Sequence, residues 1–251
     1  MLLDVEHLRH GFGGVLAVDD VSFGVEAGET FGIIGPNGAG KTTLLNAISR
    51  VIRPMSGKVS LEGNDLAKLA PHEVRRIGLS RTFQGADYFL ELTIREFLLL
   101  GLLPDMKLSS FASSLGLRAA RRRDTKARES VDSVLEQHEM LDVAALRLHE
   151  VPYGVRKLLD VLRATMLQPK VLLLDEPTSG TSSAERERIA DLIRELGSQM
   201  TGAIVIVDHD IAFIGDVCER GIAMSAGGLL AEGTLAELLS EQAVIEAYMG
   251  S

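Results

Sequence analysis

One octapeptide in the chain combines residue types and spacing suited to phosphate chemistry: Gly35-Pro36-Asn37-Gly38-Ala39-Gly40-Lys41-Thr42. It fits the pattern G-x-x-x-x-G-K-[ST] in the setting that gives the pattern meaning, after a short apolar strand and before a helix. Glycine lets consecutive backbone N–H groups turn inward around phosphate oxygens, and the positive end of the following helix adds to the cradle. Lys41 is then expected to reach the β- and γ-phosphates of a nucleotide, and the Thr42 hydroxyl to ligate Mg2+. Such a loop needs a carboxylate for its metal, and Val171-Leu172-Leu173-Leu174-Asp175-Glu176 ends a buried type of strand in two acids. Asp175 is the expected Mg2+ residue, and Glu176 the candidate general base that polarises an attacking water. A solvated acidic pair at a strand end is the plain alternative, and it loses weight beside the phosphate loop.

These groups need a scaffold. Residues 2–8 and 21–26 read as strands, the second alternating so that Val21, Phe23 and Val25 share one face. The apolar run 30–34 leads into the glycine-rich loop, and residues 43–50 carry Leu44, Leu45, Ala47 and Ile48 at helical spacing. Weaker strands are expected over 59–61 and 77–83, flanking a segment in which Pro71 suits a first helical turn. From 93 to about 167 no strand pattern occurs. Helices are expected over 93–100 and 124–141, with loop signals at 103–105 and 109–116. Residues 171–174 and 203–207 are continuous apolar runs, as in parallel strands covered on both faces, and they alternate with helical patterns over 184–196 and 211–218. The order predicts an α/β fold of the P-loop NTPase class, with a mixed sheet core, an antiparallel β region at the N-terminus and an inserted α-helical subdomain. Residues 1–251 are read as one domain, with 1–84 and 170–251 as the catalytic core and 85–169 as the insertion.

Composition limits the partners. Twenty-six Lys and Arg against thirty-five Asp and Glu give a net charge of −9, which opposes a general nucleic-acid surface. A single cysteine, Cys218, offers no internal disulfide and no cysteine metal site, and it suits a reducing compartment such as the cytosol. The start of the chain lacks a basic segment followed by an apolar one, so no secretory signal is expected. The longest apolar run, residues 97–103, falls far short of the roughly 20 residues of a bilayer span.

Asp175-Glu176-Pro177-Thr178-Ser179 after four aliphatics, with residues 35–43 upstream and Val207-Asp208-His209-Asp210 downstream, resembles the ATP-binding subunit of ABC transporters. The resemblance covers essentially the whole chain. It implies ATP and Mg2+ as ligands, with Thr43 among the nucleotide-binding residues. It also implies a head-to-tail dimer in which ATP lies between the phosphate loop of one subunit and the signature loop of the other. Phe12, in Gly11-Phe12-Gly13-Gly14, matches the aromatic that stacks on adenine. Gln84, in Arg81-Thr82-Phe83-Gln84, matches the glutamine loop that senses Mg2+ and the attacking water. His209 matches the switch histidine on the γ-phosphate. Taken alone, each has an ordinary alternative: a core phenylalanine, a surface glutamine, a capping or solvent-facing histidine.

Two departures stand out. Where the family has Leu-Ser-Gly-Gly-Gln, the chain has Val151-Pro152-Tyr153-Gly154-Val155, keeping only Gly154, and Pro152 has no backbone N–H to offer phosphate. Where the family has Ser-Ala-Leu-Asp, it has Ser179-Gly180-Thr181-Ser182. The cis groups Lys41, Thr42, Gln84, Asp175, Glu176 and His209 are all present. A heterodimer with one strong and one weak composite site is therefore favoured over a homodimer.

The basic run Arg118, Arg121, Arg122, Arg123, Lys126 and Arg128, interrupted by Asp124, reads as a solvated helix face or a contact for lipid headgroups. It lacks the interleaved aromatics of a nucleic-acid binder. The Phe97-Leu98-Leu99-Leu100 cluster reads most simply as core, although in the family this segment receives the membrane subunit. The Phe12-Gly13-Gly14 start, the long insertion and the ending Val244-Ile245-Glu246-Ala247-Tyr248-Met249-Gly250 look like importer ATPases of the branched-chain amino acid type, with urea and short-amide importers as relatives. That likeness implies two membrane permease subunits, a second ATPase subunit and, indirectly, a solute-binding protein, with no nucleic acid. The chain would sit peripherally at the cytoplasmic face of the membrane. Competing readings are a soluble ABC ATPase of repair, translation or cofactor assembly, and a regulatory ATP-binding module.

Overall fold

The computed structural model describes residues 1–83, 89–103 and 118–249. A four-stranded antiparallel sheet, in the order β2-β1-β4-β5, comprises β1 (Leu3–Phe12), β2 (Val15–Val25), β4 (Ser56–Leu61) and β5 (Asn64–Asp65). A six-stranded sheet, in the order β10-β9-β3-β8-β7-β6, comprises β3 (Thr30–Ile34), β6 (Leu79–Arg81), β7 (Val171–Asp175), β8 (Ala203–Val207), β9 (Arg220–Ser225) and β10 (Gly228–Thr234). Its strands run parallel except β10, which returns antiparallel to β9. The helices are α1 (Lys41–Ile48), α2 (Pro71–Arg76), α3 (Ile94–Leu99), α4 (Arg118–Gln137), α5 (Tyr153–Thr165), α6 (Ser183–Gln199), α7 (Ile211–Val217), α8 (Leu235–Ser240) and α9 (Gln242–Met249). This is the expected P-loop NTPase arrangement of mixed sheet, N-terminal antiparallel strands and helical insertion.

The continuous apolar runs of β7 and β8 are period-two patterns serving two cores at once. Leu172, Leu174, Ile204 and Ile206 join the helical side, with Phe97, Leu98, Leu159 and Ile189. Val171, Leu173, Val205 and Val207 join the side built by α1 and the antiparallel sheet, with Phe31, Ile33, Leu44 and Leu45. Between β6 and β7 the described residues hold α3, α4 and α5 and no named strand. Among the described residues no helix is long and apolar enough to cross a membrane.

Helix boundaries differ from expectation where local chemistry is permissive. α4 begins at Arg118, not 124, because arginine and alanine are strong helix formers and prolong the helix ahead of the buried positions Ala127, Val131 and Leu135. It stops at Gln137, short of 141, since Glu139 takes a left-handed conformation (φ 56°) and Met140 N–H turns back to the Leu135 carbonyl. Helix α5 starts directly after Pro152, a position where the missing N–H is no loss to the helix. Periodicity did not separate α5 from the rest of the insertion, nor resolve β9, β10, α8 and α9 after residue 218.

Candidate functional site

Parallel pairing brings β3, β7 and β8 to a common C-terminal edge: Ile33 and Asp175 both lie in register with Val207. Ligands of open α/β sheets bind at this edge. Here it gathers the phosphate loop after β3, Asp175 and Glu176 at the end of β7, and Asp208 and His209 after β8. A cavity of about 200 Å³ is lined by Asn37, Gly38, Ala39, Gly40, Lys41, Thr42 and Thr43, by Ala17 of β2 and by Glu176. Gly40 has φ 98°, and a Cβ there would stand 2.0 Å from the Ala17 carbonyl oxygen. Conformation and space both require glycine at this position.

Lys41 is buried, and its Nζ donates to the carbonyls of Gly35 (2.6 Å) and Pro36 (2.9 Å). Burial lowers its pKa below the ordinary lysine value, against the opposing pull of Glu176, Asp208 and Asp175. Asp175 is also buried. Its Oδ2 accepts from Arg81 Nη2 at 2.7 Å and its backbone N–H donates to Thr82 Oγ1 at 3.0 Å, while Oδ1 is buried without a partner. A lone oriented carboxylate oxygen with a threonine hydroxyl fits Mg2+, which takes one or two protein ligands and fills its octahedron with phosphate oxygens and water. Among the described residues no cluster of three or more His, Cys, Asp or Glu offers an all-protein cage.

Glu176 holds a left-handed backbone (φ 47°), which a residue with a Cβ adopts at a cost of about 1–3 kcal/mol. Its N–H donates to the Val207 carbonyl (2.7 Å), and its carbonyl accepts from Lys157 Nζ of α5 (2.9 Å). Asp208 is buried, accepting from Thr178 Oγ1 (2.6 Å), Thr178 N–H (3.1 Å) and Asp210 N–H (3.0 Å). His209 is half exposed, its Nδ1 3.4 Å from Asp208 Oδ1. The Tyr248 hydroxyl, in the last helix, accepts from Gly35 N–H at 2.6 Å, and burial raises its pKa. Sequence reasoning assigned no role to Arg81, Thr82, Asp208 or Tyr248. A charged residue ending an apolar strand was the visible sign of Asp208; nothing local signalled Tyr248.

Phe12, Gly154 and Ser182 lie apart from the cavity lining. Phe12, at the end of β1, is 57% exposed and so is no core residue. Gln84 lies outside the described residues. Gly154 is buried in the first turn of α5, where its N–H donates to Glu185 Oε1 at 3.1 Å. It borders a larger cavity, of about 700 Å³, formed with residues of α6 and of the segment 138–152 that follows α4, and containing no phosphate-loop residue. Ser182 caps α6: its Oγ accepts from Glu185 N–H, and Glu185 Oε2 accepts from both the N–H and the Oγ of Ser182.

A family model described as ABC transporter matches residues 18–179. The high-affinity branched-chain amino acid transport ATP-binding protein LivG of Salmonella typhimurium is 34% identical over 249 residues, spanning 99% of this chain and 98% of its own length. The corresponding protein BraF of Pseudomonas aeruginosa is 32% identical over 249 residues, with the same coverage. A crystal structure of a nucleotide-free ATP-binding cassette from an ABC transporter superposes with a TM-score of 0.87 at 28% identity, covering 100% of this chain and 99% of that one.

Proposed function

The chain belongs to the ATP-binding subunits of ABC transporters, and from that premise we propose that it binds Mg2+-ATP at the β3-β7-β8 edge and powers import of a branched-chain amino acid through separate membrane subunits. The observation that carries the site is the pairing of Asp175 Oδ1, buried and unpartnered, with Glu176, strained into the rim of the phosphate-loop cavity. Residues 35–43 hold the phosphates through backbone N–H groups, the Lys41 ammonium and the Thr42 and Thr43 hydroxyls. Thr42, Asp175 and Gln84 would hold the metal, which would supply neutralisation of the charge on the transferring phosphoryl group. Glu176 orients a water and takes its proton as the new O–P bond forms and the β–γ bridging bond breaks, giving ADP and phosphate. His209, steadied by Asp208, contacts the γ-phosphate, and the exposed Phe12 ring stacks on adenine.

Residues 1–84 and 170–251 form the catalytic core and 85–169 the helical subdomain, with Gly154 facing a partner's nucleotide. The weakened signature loop supports a heterodimer with a second ATPase subunit. Two permeases and, indirectly, a solute-binding protein complete the importer at the cytoplasmic face of the membrane. The likeness to LivG and BraF supports the choice of solute. The test is leucine uptake into vesicles carrying the reconstituted complex: ATP-driven accumulation is expected, and ATP turnover without uptake of any branched-chain amino acid would overturn the solute assignment. The purified chain alone should turn ATP over slowly; full two-site turnover by a homodimer contradicts the heterodimer.

A further inference from the structure

Arg81 lies at the end of β6, in register with Leu173 of β7, and its guanidinium makes three bonds to two elements. Nη2 donates to Asp175 Oδ2 at 2.7 Å, and Nη1 donates to Asn46 Oδ1 at 2.6 Å and Ser49 Oγ at 3.0 Å. Asn46 lies in α1 and Ser49 caps its end, and this same helix begins with Lys41 and Thr42. One cation therefore ties the helix of the phosphate loop to the carboxylate at the end of β7. The side chain is 12% exposed, so the fork is not free to swing into solvent.

The strand behind it is clamped as well. The Arg81 carbonyl accepts from Arg163 Nη2 (2.8 Å), and Arg163 is fully buried, paired with Asp160 at 2.8 Å and stacked 3.6 Å from the Phe83 ring. Asp160 in turn accepts from Phe83 N–H at 2.7 Å. A buried carboxylate without a counter-charge is strongly unfavourable, and Arg81 is the one residue in ion-pair distance of Asp175 among the described residues. It relieves that charge through Oδ2 alone and leaves Oδ1 uncovered.

We propose that Arg81 is a positioning residue for the catalytic metal: it holds Asp175 by Oδ2 so that Oδ1 is the ligand oxygen, at a setting fixed relative to Thr42 by the bonds to Asn46 and Ser49. The inference rests on Asp175 being the metal carboxylate. Lysine cannot substitute, because a single ammonium does not span acceptors on two edges of a planar fork. The opposite role would make Arg81 a competitor that occupies Asp175 until metal displaces it, and the two roles differ in sign.

The test is Mn2+ binding, followed by electron paramagnetic resonance, to the full chain loaded with a non-hydrolysable ATP analogue. Arg81→Lys should weaken Mn2+ binding by about 10–100-fold, as loss of an outer-shell partner typically does, while affinity for the analogue in EDTA stays close to wild type. The double variant Asn46→Ala/Ser49→Ala keeps the ion pair and loses the anchor; it should show a smaller weakening of the same kind, and it carries the test if Arg81→Lys does not fold. Mn2+ affinity equal to wild type in these variants overturns the inference, and affinity above wild type overturns it in favour of the competitor. Asp175→Asn separates the two levels. If it weakens Mn2+ and the Arg81 and Asn46/Ser49 variants do not, only the positioning role fails; if it leaves Mn2+ affinity intact, the metal assignment of Asp175 fails with it.

Discussion

The phosphate-loop edge and the junction of α5 with α6 treat their polar groups in opposite ways. At the edge, polar atoms are held ready: Asp175 Oδ1 is buried without a partner, Lys41 is stripped of water, and Glu176 sits in a conformation it would not choose. At the junction, polar atoms are spent within the chain. Gly154 gives its N–H to Glu185, Ser182 and Glu185 satisfy each other, and Pro152 has no donor to give. The contrast matches the asymmetry of the sequence, in which the cis groups of the family are complete and the trans groups are altered. The edge keeps strain and unmet bonding capacity, whereas the junction satisfies its polar groups through helix capping.

The sharpest way to break this comparison is Glu176→Gln. If Glu176 is the base at the edge, turnover in the assembled transporter should fall by about 10²–10⁴-fold while ATP stays bound, measured as phosphate release against nucleotide retention. Unchanged turnover would remove the strongest reason for treating the edge as catalytic. Next in size is Tyr248→Phe. It removes the acceptor for Gly35 N–H at the start of the phosphate loop, and an unsatisfied buried donor costs about 1–3 kcal/mol. Thermal unfolding should register the loss, and ATP affinity should weaken with it. A variant as stable and as avid as wild type would show that the last helix does not brace the loop.

On the other side, Ser182→Ala removes a helix cap worth about 0.5–2 kcal/mol, and the loss should appear in unfolding midpoints with no change in the chain's own ATP affinity. A drop in ATP affinity would mean that the junction reaches the cis site, which the comparison denies.

How much of this was legible in the sequence follows from how local each feature is. The phosphate loop, Asp175 and Glu176 were readable because a strand, a tight turn and a helix must follow one another within a few residues, and the motif encodes that order. Strands β7 and β8 were readable as uninterrupted apolar runs. Arg81 and Tyr248 were not, because their partners lie 94 and 213 residues away, and no spacing rule connects an arginine on a three-residue strand to an acid on its neighbour. The fates of Gly154 and Ser182 were half legible. Their departure from the family pattern could be seen, but that both converge on Glu185 could be seen only in three dimensions.

Glu185 gives the smallest and most discriminating effect. Its carboxylate accepts from the N–H and Oγ of Ser182 and from Gly154 N–H, and these bonds hold its pKa below the ordinary value of 4.5. Because the folded-state pKa is depressed, the stabilisation is fully present above pH 4.5 and drains away as the pH falls through the folded value. Glu185→Gln should therefore flatten stability against pH slightly: a small loss above pH 4.5 that vanishes as the pH falls through the folded value, measured by denaturant unfolding at stepped pH. The side chain is exposed enough for solvent to screen the effect, so it should be smaller than that of Ser182→Ala. If the Gln variant instead speeds ATP turnover in the assembled pair, Glu185 has been withholding the Gly154 N–H from the neighbouring nucleotide, and the junction is a suppressed trans site rather than a relaxed one.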